Sequence, residues 1–112
     1  MHEMAIAEGI LDITLDYARR NDAKRIMKVA LLVGDMAGVE NESLTFCWSS
    51  LIKGTIAEGA KLVVKRMPLL GRCDTCGRER PIEHYNFICQ DCGGTLGIIS
   101  GRELQVDYLE ME

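Results

Sequence analysis

Apolar residues recur every three or four positions over residues 3 to 20 and again over residues 41 to 53. That spacing places them on one face of a helix, so both segments are predicted to be amphipathic helices. The second helix is expected to begin at Glu40 or Asn41 and to end near Gly54, a residue suited to a C-terminal cap. Its buried side is expected to carry Leu44, Cys47, Trp48, Leu51 and Ile52.

Three other segments carry the pattern of β-strands. Residues 25 to 33 and 61 to 67 are rich in aliphatic and β-branched side chains, and residues 103 to 109 alternate apolar with polar positions. Pro68 closes the second of these segments, because proline cannot donate a hydrogen bond to a neighbouring strand. Together with the helices, the strands predict an α+β fold with a small three-stranded sheet and two helices.

Four cysteines form two CxxC pairs, Cys73 with Cys76 and Cys89 with Cys92. Two such turns can direct four thiolates at one ion and complete a tetrahedron. A glycine follows each turn directly and can adopt a positive φ that brings backbone amides towards the sulfurs. Four protein ligands leave no open position, which indicates a structural rather than a catalytic metal. Zinc is the favoured ion, although four thiolates also suit iron in a rubredoxin-like site.

Because strands are predicted on both sides of the cysteines, these residues are expected to form an inserted module. The prediction assigns residues 71 to 101 to a zinc-ribbon-like module and residues 1 to 70 plus 102 to 112 to an α/β body. The body has enough residues for a modest hydrophobic core of its own.

Charge and composition narrow the choice of partners and compartment. The chain has 17 acidic and 13 basic residues, with a net charge of −4, so no basic face for nucleic acid is expected. No apolar run is long enough to cross a membrane. Acidic residues among the first twenty are untypical of a signal peptide, which favours the cytoplasm. Thiols stay reduced there, so paired cysteines are more typical of metal ligands than of disulfides.

The chain begins Met1-His2-Glu3. The terminal amine, the adjacent backbone amides and the imidazole of His2 can surround a cation with nitrogen donors. A tetragonal nitrogen set suits Ni(II) or Cu(II). Taken alone, these residues leave an ordinary surface histidine as the alternative.

The whole chain resembles the HypA/HybF family, the nickel-insertion proteins of [NiFe]-hydrogenase maturation. The resemblance is carried by the opening MHE, the stretches VGDMAGVENESLTF and GTIAEGAKL, the four paired cysteines, and the ending GRELQVDYLEME. It implies a cytoplasmic metallochaperone rather than an enzyme, with a structural zinc ion and nickel as cargo. It also implies that Met1 and His2 anchor the nickel, and that Glu3 and Glu40 belong to the same site.

The resemblance further implies two partners, the maturation GTPase HypB and the large subunit of a [NiFe]-hydrogenase, and some relatives also serve urease. The chain departs from the family pattern at Glu40, where some relatives have aspartate, and at Asn41, where many have proline. Three rival interpretations remain open from the residues alone. They are a zinc-ribbon module that binds nucleic acid or protein, a rubredoxin-like electron carrier, and an enzyme that relies on carboxylates.

Overall fold

The computed structural model describes residues 2 to 112, and Met1 lies outside the described part. Two helices, one short 3₁₀ turn and six strands are found within those residues. In chain order they are α1 (Glu3–Arg20), β1 (Ile26–Gly34), the 3₁₀ turn (Asp35–Ala37), α2 (Asn41–Leu51), β2 (Lys61–Met67), β3 (Leu70–Cys73), β4 (Glu79–Pro81), β5 (Leu96–Ser100) and β6 (Leu104–Met111).

The strands form two separate three-stranded sheets. In the first, β1 lies in the centre, pairs in parallel with β2 and pairs antiparallel with β6. In the second, β3 lies in the centre and pairs antiparallel with β4 and β5. The predicted α+β class is confirmed, with two helices, a small three-stranded sheet and a cysteine-bearing module.

The first sheet and both helices enclose the larger hydrophobic core. β1 is almost wholly apolar, and its side chains Val29, Leu31 and Val33 are buried in this core. Trp48 of α2 is 1% exposed, and its indole N–H donates to the carbonyl of Ala60 at 3.2 Å. The largest fully buried apolar side chains of this core are Trp48, Ile26, Leu31, Leu44, Val29 and Val33.

The predicted bounds of α1 agree with the structure, whereas those of α2 need a correction. α2 ends at Leu51 rather than at residue 53, because the chain turns at Ile52 and reaches a positive φ of 79° at Gly54. β6 runs two residues beyond its predicted end because Met111 still pairs with Ile26 of β1.

A second, smaller core lies in the cysteine module, where the sequence prediction assigned no strands. It consists of Cys73, Ile82, Cys89 and Leu96, with Leu69, Phe87 and Ile98 partly buried around them. The second sheet supplies most of these residues, and β3 begins at Leu70. Two cores in one chain give an elongated molecule with extents of 55 × 26 × 16 Å.

The chain passes between the two cores twice, first from β2 to β3 and then from β5 to β6. Both connections lie near the end of β1. The amide of Gly34 donates to the carbonyl of Glu103 at 2.7 Å, and that of Met36 donates to Gly101 at 2.8 Å. The Ser100 hydroxyl, at the end of β5, donates to the carbonyl of Pro68 on the connection from β2 to β3 at 2.9 Å. The module is therefore tied to the body by hydrogen bonds as well as by the chain itself.

Within the described residues, no helix has both the length and the apolar character needed to span a bilayer.

Candidate metal sites

The four paired cysteines converge on one point of the module. Their sulfur atoms all lie within 4.8 Å of one another. The Sγ atoms of Cys73 and Cys92 are 3.4 Å apart, and those of Cys76 and Cys89 are 3.8 Å apart. A disulfide requires about 2.0 Å, so these are free thiols. Zinc–sulfur bonds of about 2.3 Å in a tetrahedron put the sulfurs about 3.8 Å apart. The Cys76–Cys89 distance equals this value, and the Cys73–Cys92 distance is slightly shorter.

Two similar turns position the cysteines. In the first, the amide of Gly77 donates to the carbonyl of Cys73 at 3.0 Å, and in the second, the amide of Gly93 donates to Cys89 at 2.9 Å. Both glycines adopt the positive φ expected from the sequence, 75° and 78°. The chain can therefore reverse directly after each pair, and all four thiols face the same point.

Backbone amides favour a thiolate at Cys73. The amides of Cys76 and Thr75 each donate to its sulfur at 3.4 Å and lower its pKa to about 6. At Cys92 the amide of Gly94 acts in the same direction, but the hydrogen bond with Cys73 and partial desolvation raise its pKa to about 12. A divalent cation bound by these thiols would displace the proton that Cys92 holds.

The metal site is half enclosed. Cys73 and Cys89 are buried, at 2% and 1% exposure, whereas Cys76 and Cys92 are exposed. Gly94 lies against the buried side, where an added Cβ would come within 2.8 Å of the Cys73 sulfur. The glycine thus lets the backbone pass next to the ligands.

A charged cluster that sequence analysis missed lies beside the cysteines. The carboxylate of Asp91 accepts from Arg78 at 3.0 Å and from Arg80. The hydrogen bond from Arg78 is the main cause that holds the pKa of Asp91 below its usual value. Because both arginines donate hydrogen bonds to this carboxylate, Asp91 stabilises the second turn and is not available as a further ligand. The sequence signal is the presence of two arginines and an aspartate close to the CxxC pairs.

The predicted N-terminal site lies on the body, and only part of it is described. Met1 is outside the described residues. His2 is exposed, has extended backbone with φ −89°, and makes no side-chain capping hydrogen bond to α1. Its carbonyl accepts the amide of Ile6 at 3.2 Å, which fixes the backbone of residue 2 to the first turn of the helix. The imidazole therefore projects from an ordered helix end.

Glu3 and Glu40, which are 37 positions apart, come together in the fold. The carboxylate of Glu3 accepts from the backbone amide of Glu40 at 3.2 Å. The carboxylate of Glu40 caps α2 by accepting from the amides of Ser43 at 2.8 Å and Glu42 at 3.3 Å. These two amides, Ser43 first, lower the pKa of Glu40. The start of α1 and the start of α2 are thereby joined next to His2.

The fold and the four-cysteine site define a small two-core protein that holds a metal ion through thiols. Residues 1–111 match the family model described as hydrogenase/urease nickel incorporation, metallochaperone, hypA. The chain is 42% identical over 113 residues to the hydrogenase maturation factor HypA of Chlorobaculum tepidum, with 100% of each chain covered. It is 37% identical to the factor of the same name from Geobacter metallireducens, again with full coverage of both.

Solved structures of similar proteins have the same fold. A solution structure of HypA protein matches with a TM-score of 0.77 at 18% identity and covers 100% of this chain and 97% of that one. The solution structure of the nickel metallochaperone HypA from Helicobacter pylori matches with a TM-score of 0.71 at 18% identity, covering 99% and 97%.

This chain belongs to the HypA family of nickel metallochaperones for hydrogenase maturation. The resemblance noted in the sequence is confirmed. The family consists of metallochaperones rather than enzymes, which agrees with the expectation for this chain.

Proposed function

We propose that this protein binds Ni(II) at its N-terminus and delivers it during [NiFe]-hydrogenase maturation, while a zinc ion in the four-cysteine site stabilises the module. The observation that carries the nickel proposal is the exposed His2 at an ordered helix end, joined through Glu3 to the start of α2. A carrier needs cargo that a receiving protein can reach, and an exposed terminus provides this.

The proposed nickel ligands are the terminal amine of Met1, the adjacent backbone amides and the imidazole of His2. Nitrogen donors of this kind suit the tetragonal preference of Ni(II). Glu3 and Glu40 have supporting roles, because the carboxylate of Glu3 already accepts the amide of Glu40 and that of Glu40 already caps α2. We therefore assign to them the placement of the N-terminus rather than direct ligation.

Zinc is the proposed ion for Cys73, Cys76, Cys89 and Cys92. Four thiols that converge within 4.8 Å can close a structural site, and the ligands of such a site connect β3 to the loops on either side of β4. This role supports a division into a nickel-binding body, residues 1 to 70 and 102 to 112, and a zinc-binding module, residues 71 to 101. The two separate cores are consistent with that division.

Delivery is proposed to take place in the cytoplasm, where thiols stay reduced. The proposed partners are the GTPase HypB and the large subunit of a [NiFe]-hydrogenase, with urease as a further recipient system. The family description names both hydrogenase and urease, which supports these two recipient systems.

Elemental analysis of untagged protein, before and after nickel titration, tests both metals. We expect about one zinc per chain as purified and about one added nickel. His2→Ala should lose the nickel and keep the zinc, whereas His84→Ala is a matched control because His84 is the other histidine and is also exposed. Equal nickel affinity in both variants would overturn the N-terminal site, and iron in place of zinc would overturn the metal assignment.

A second experiment tests delivery itself. Purified nickel-free hydrogenase large subunit and HypB are incubated with nickel-loaded wild type or with His2→Ala at the same total nickel. We expect nickel in the large subunit to rise with the wild type above the level reached with His2→Ala. Equal transfer from both proteins would contradict a carrier role for the N-terminus.

A further inference from the structure

The peptide group between Val39 and Glu40 is held from both sides. Its N–H donates to the carboxylate of Glu3 at 3.2 Å. Its C=O accepts from the guanidinium of Arg66 at 3.1 Å. This one peptide group thus lies between a carboxylate on α1 and a guanidinium on β2. Each charge polarises the peptide and strengthens the hydrogen bond on its other side.

Arg66 is placed for this contact by the pairing of the first sheet. It lies opposite Val33 in the parallel register of β1 and β2, so its side chain reaches the loop that follows β1. The same guanidinium donates to the side-chain oxygen of Asn41 at 3.2 Å and forms an ion pair with Asp35 at 3.4 Å. Its contacts therefore span both ends of the loop between β1 and α2.

We infer that Arg66 is a positioning residue for the N-terminal nickel site, and the inference rests on the function proposed above. By holding the Val39–Glu40 peptide, Arg66 fixes the amide to which Glu3 is hydrogen-bonded. Glu3 directly follows His2, so this bond limits the positions open to the residues that would bind nickel. Preorganisation of this kind increases affinity because less ordering is required on binding.

The expected size follows from the exposure of the contacts. The side chain of Arg66 retains 38% of its accessible surface, so solvent weakens its charge interactions. Loss of the guanidinium in Arg66→Gln should raise the nickel dissociation constant about fivefold, which is the effect of one exposed charge-assisted hydrogen bond. Arg66→Lys keeps the positive charge but lacks the planar guanidinium with its several donors. It should give a smaller increase in the nickel dissociation constant.

The first test measures how firmly the Val39–Glu40 peptide is held in nickel-free protein. Its readout is the hydrogen exchange of the Glu40 amide, followed by NMR. Exchange should become about threefold faster or more in Arg66→Gln and in Glu3→Gln. Lys65→Gln is the matched control, because Lys65 is the exposed neighbour on β2 and loses the same charge. Unchanged exchange of Glu40 in Arg66→Gln would overturn the inference.

The second test measures nickel binding by calorimetry on the same untagged proteins. We expect weaker nickel binding in Arg66→Gln and wild-type binding in Lys65→Gln. In the double variant Glu3→Gln/Arg66→Gln, the increase in dissociation constant should be smaller than the product of the two single increases. A residue that merely supported the fold would give independent, multiplicative effects. Nickel affinity of Arg66→Gln equal to that of Lys65→Gln, or multiplicative effects, would refute the positioning role.

Failure of the underlying function has a different signature. If His2→Ala binds nickel as tightly as the wild type, the N-terminal site is wrong and this inference falls with it. That comparison involves no change at Arg66, so its outcome is distinct from a failure of Arg66 to hold the Val39–Glu40 peptide.

Discussion

Replacing Gly34 with alanine tests how the cysteine module is attached to the body. Gly34 ends β1, and a Cβ added there would lie 2.6 Å from the backbone nitrogen of Arg102 and closer still to the carbonyl group of Gly101. Those atoms are backbone, so they cannot move aside as the end of a flexible side chain can. The alanine would force the second connection away from β1.

Two contributions set the expected loss of stability. Forcing extra volume into a tightly packed place costs about 1–3 kcal/mol. The hydrogen bonds of Gly34 to Glu103 and of Met36 to Gly101 would lengthen, at about 1 kcal/mol each. A total of about 3–5 kcal/mol is a large part of the stability of a small domain. It should lower the melting temperature by about 10 °C or more.

Thermal unfolding followed by circular dichroism, at fixed excess zinc, measures the change. Gly9→Ala is the control, because Gly9 lies within α1 and an added Cβ meets nothing within 4 Å. That substitution should raise the melting temperature slightly, since alanine favours a helix over glycine by about 1 kcal/mol. A melting temperature for Gly34→Ala within about 2 °C of wild type would refute the close backbone approach at this junction.

Three other changes probe the cap of α2 and the cysteine site. Glu40→Gln should lower the melting temperature by a few degrees at neutral pH. Because the pKa of Glu40 is lowered below 4.5, its contribution is complete above that pH and is lost as pH falls through the lowered value, so melting curves of the two proteins should converge in acid. Removal of the metal by a chelator should collapse the NMR chemical-shift dispersion of residues 70 to 100. The fluorescence of Trp48, which lies in the core of the body, should remain that of a buried indole. A red-shifted emission would contradict two independent cores. Gly94→Ala should weaken zinc binding at least tenfold in a competition assay with a chromophoric chelator, because its Cβ would crowd the Cys73 sulfur, whereas Gly97→Ala, where the nearest atom is 3.9 Å away, should not.

The elements that the sequence predicted well are those with a local signal. The bounds of α1 follow from the spacing of its apolar residues, and β2 has the predicted ends because Pro68 follows it. The CxxC pairs are equally local, since two short turns with a glycine after each specify where four thiols can meet. Such patterns depend on near neighbours in the chain and need no knowledge of the rest of the fold.

The strands of the cysteine module gave no such signal. β4 has three residues and β3 has four, too few for an alternating pattern to stand out. Pairing across a small core that includes Cys73 and Cys89 defines these strands, so they depend on the same convergence that builds the metal site. The end of β6 was missed for a related reason, because only its pairing with Ile26 extends it to Met111.

The loop between β1 and α2 shows what a local pattern cannot supply. At one end, Gly34 and Met36 are hydrogen-bonded to the connection that leads to the cysteine module. At the other end, the Val39–Glu40 peptide is hydrogen-bonded to Glu3 and to Arg66. Each contact joins residues far apart in the chain. Glutamate and arginine, the residue types of Glu3 and Arg66, are ordinary at a protein surface and give no local signal of such a contact. The placement of the N-terminus relative to the module therefore depends on tertiary contacts of this loop, and variants at its two ends should separate the stability of the junction from the affinity of the N-terminus for nickel.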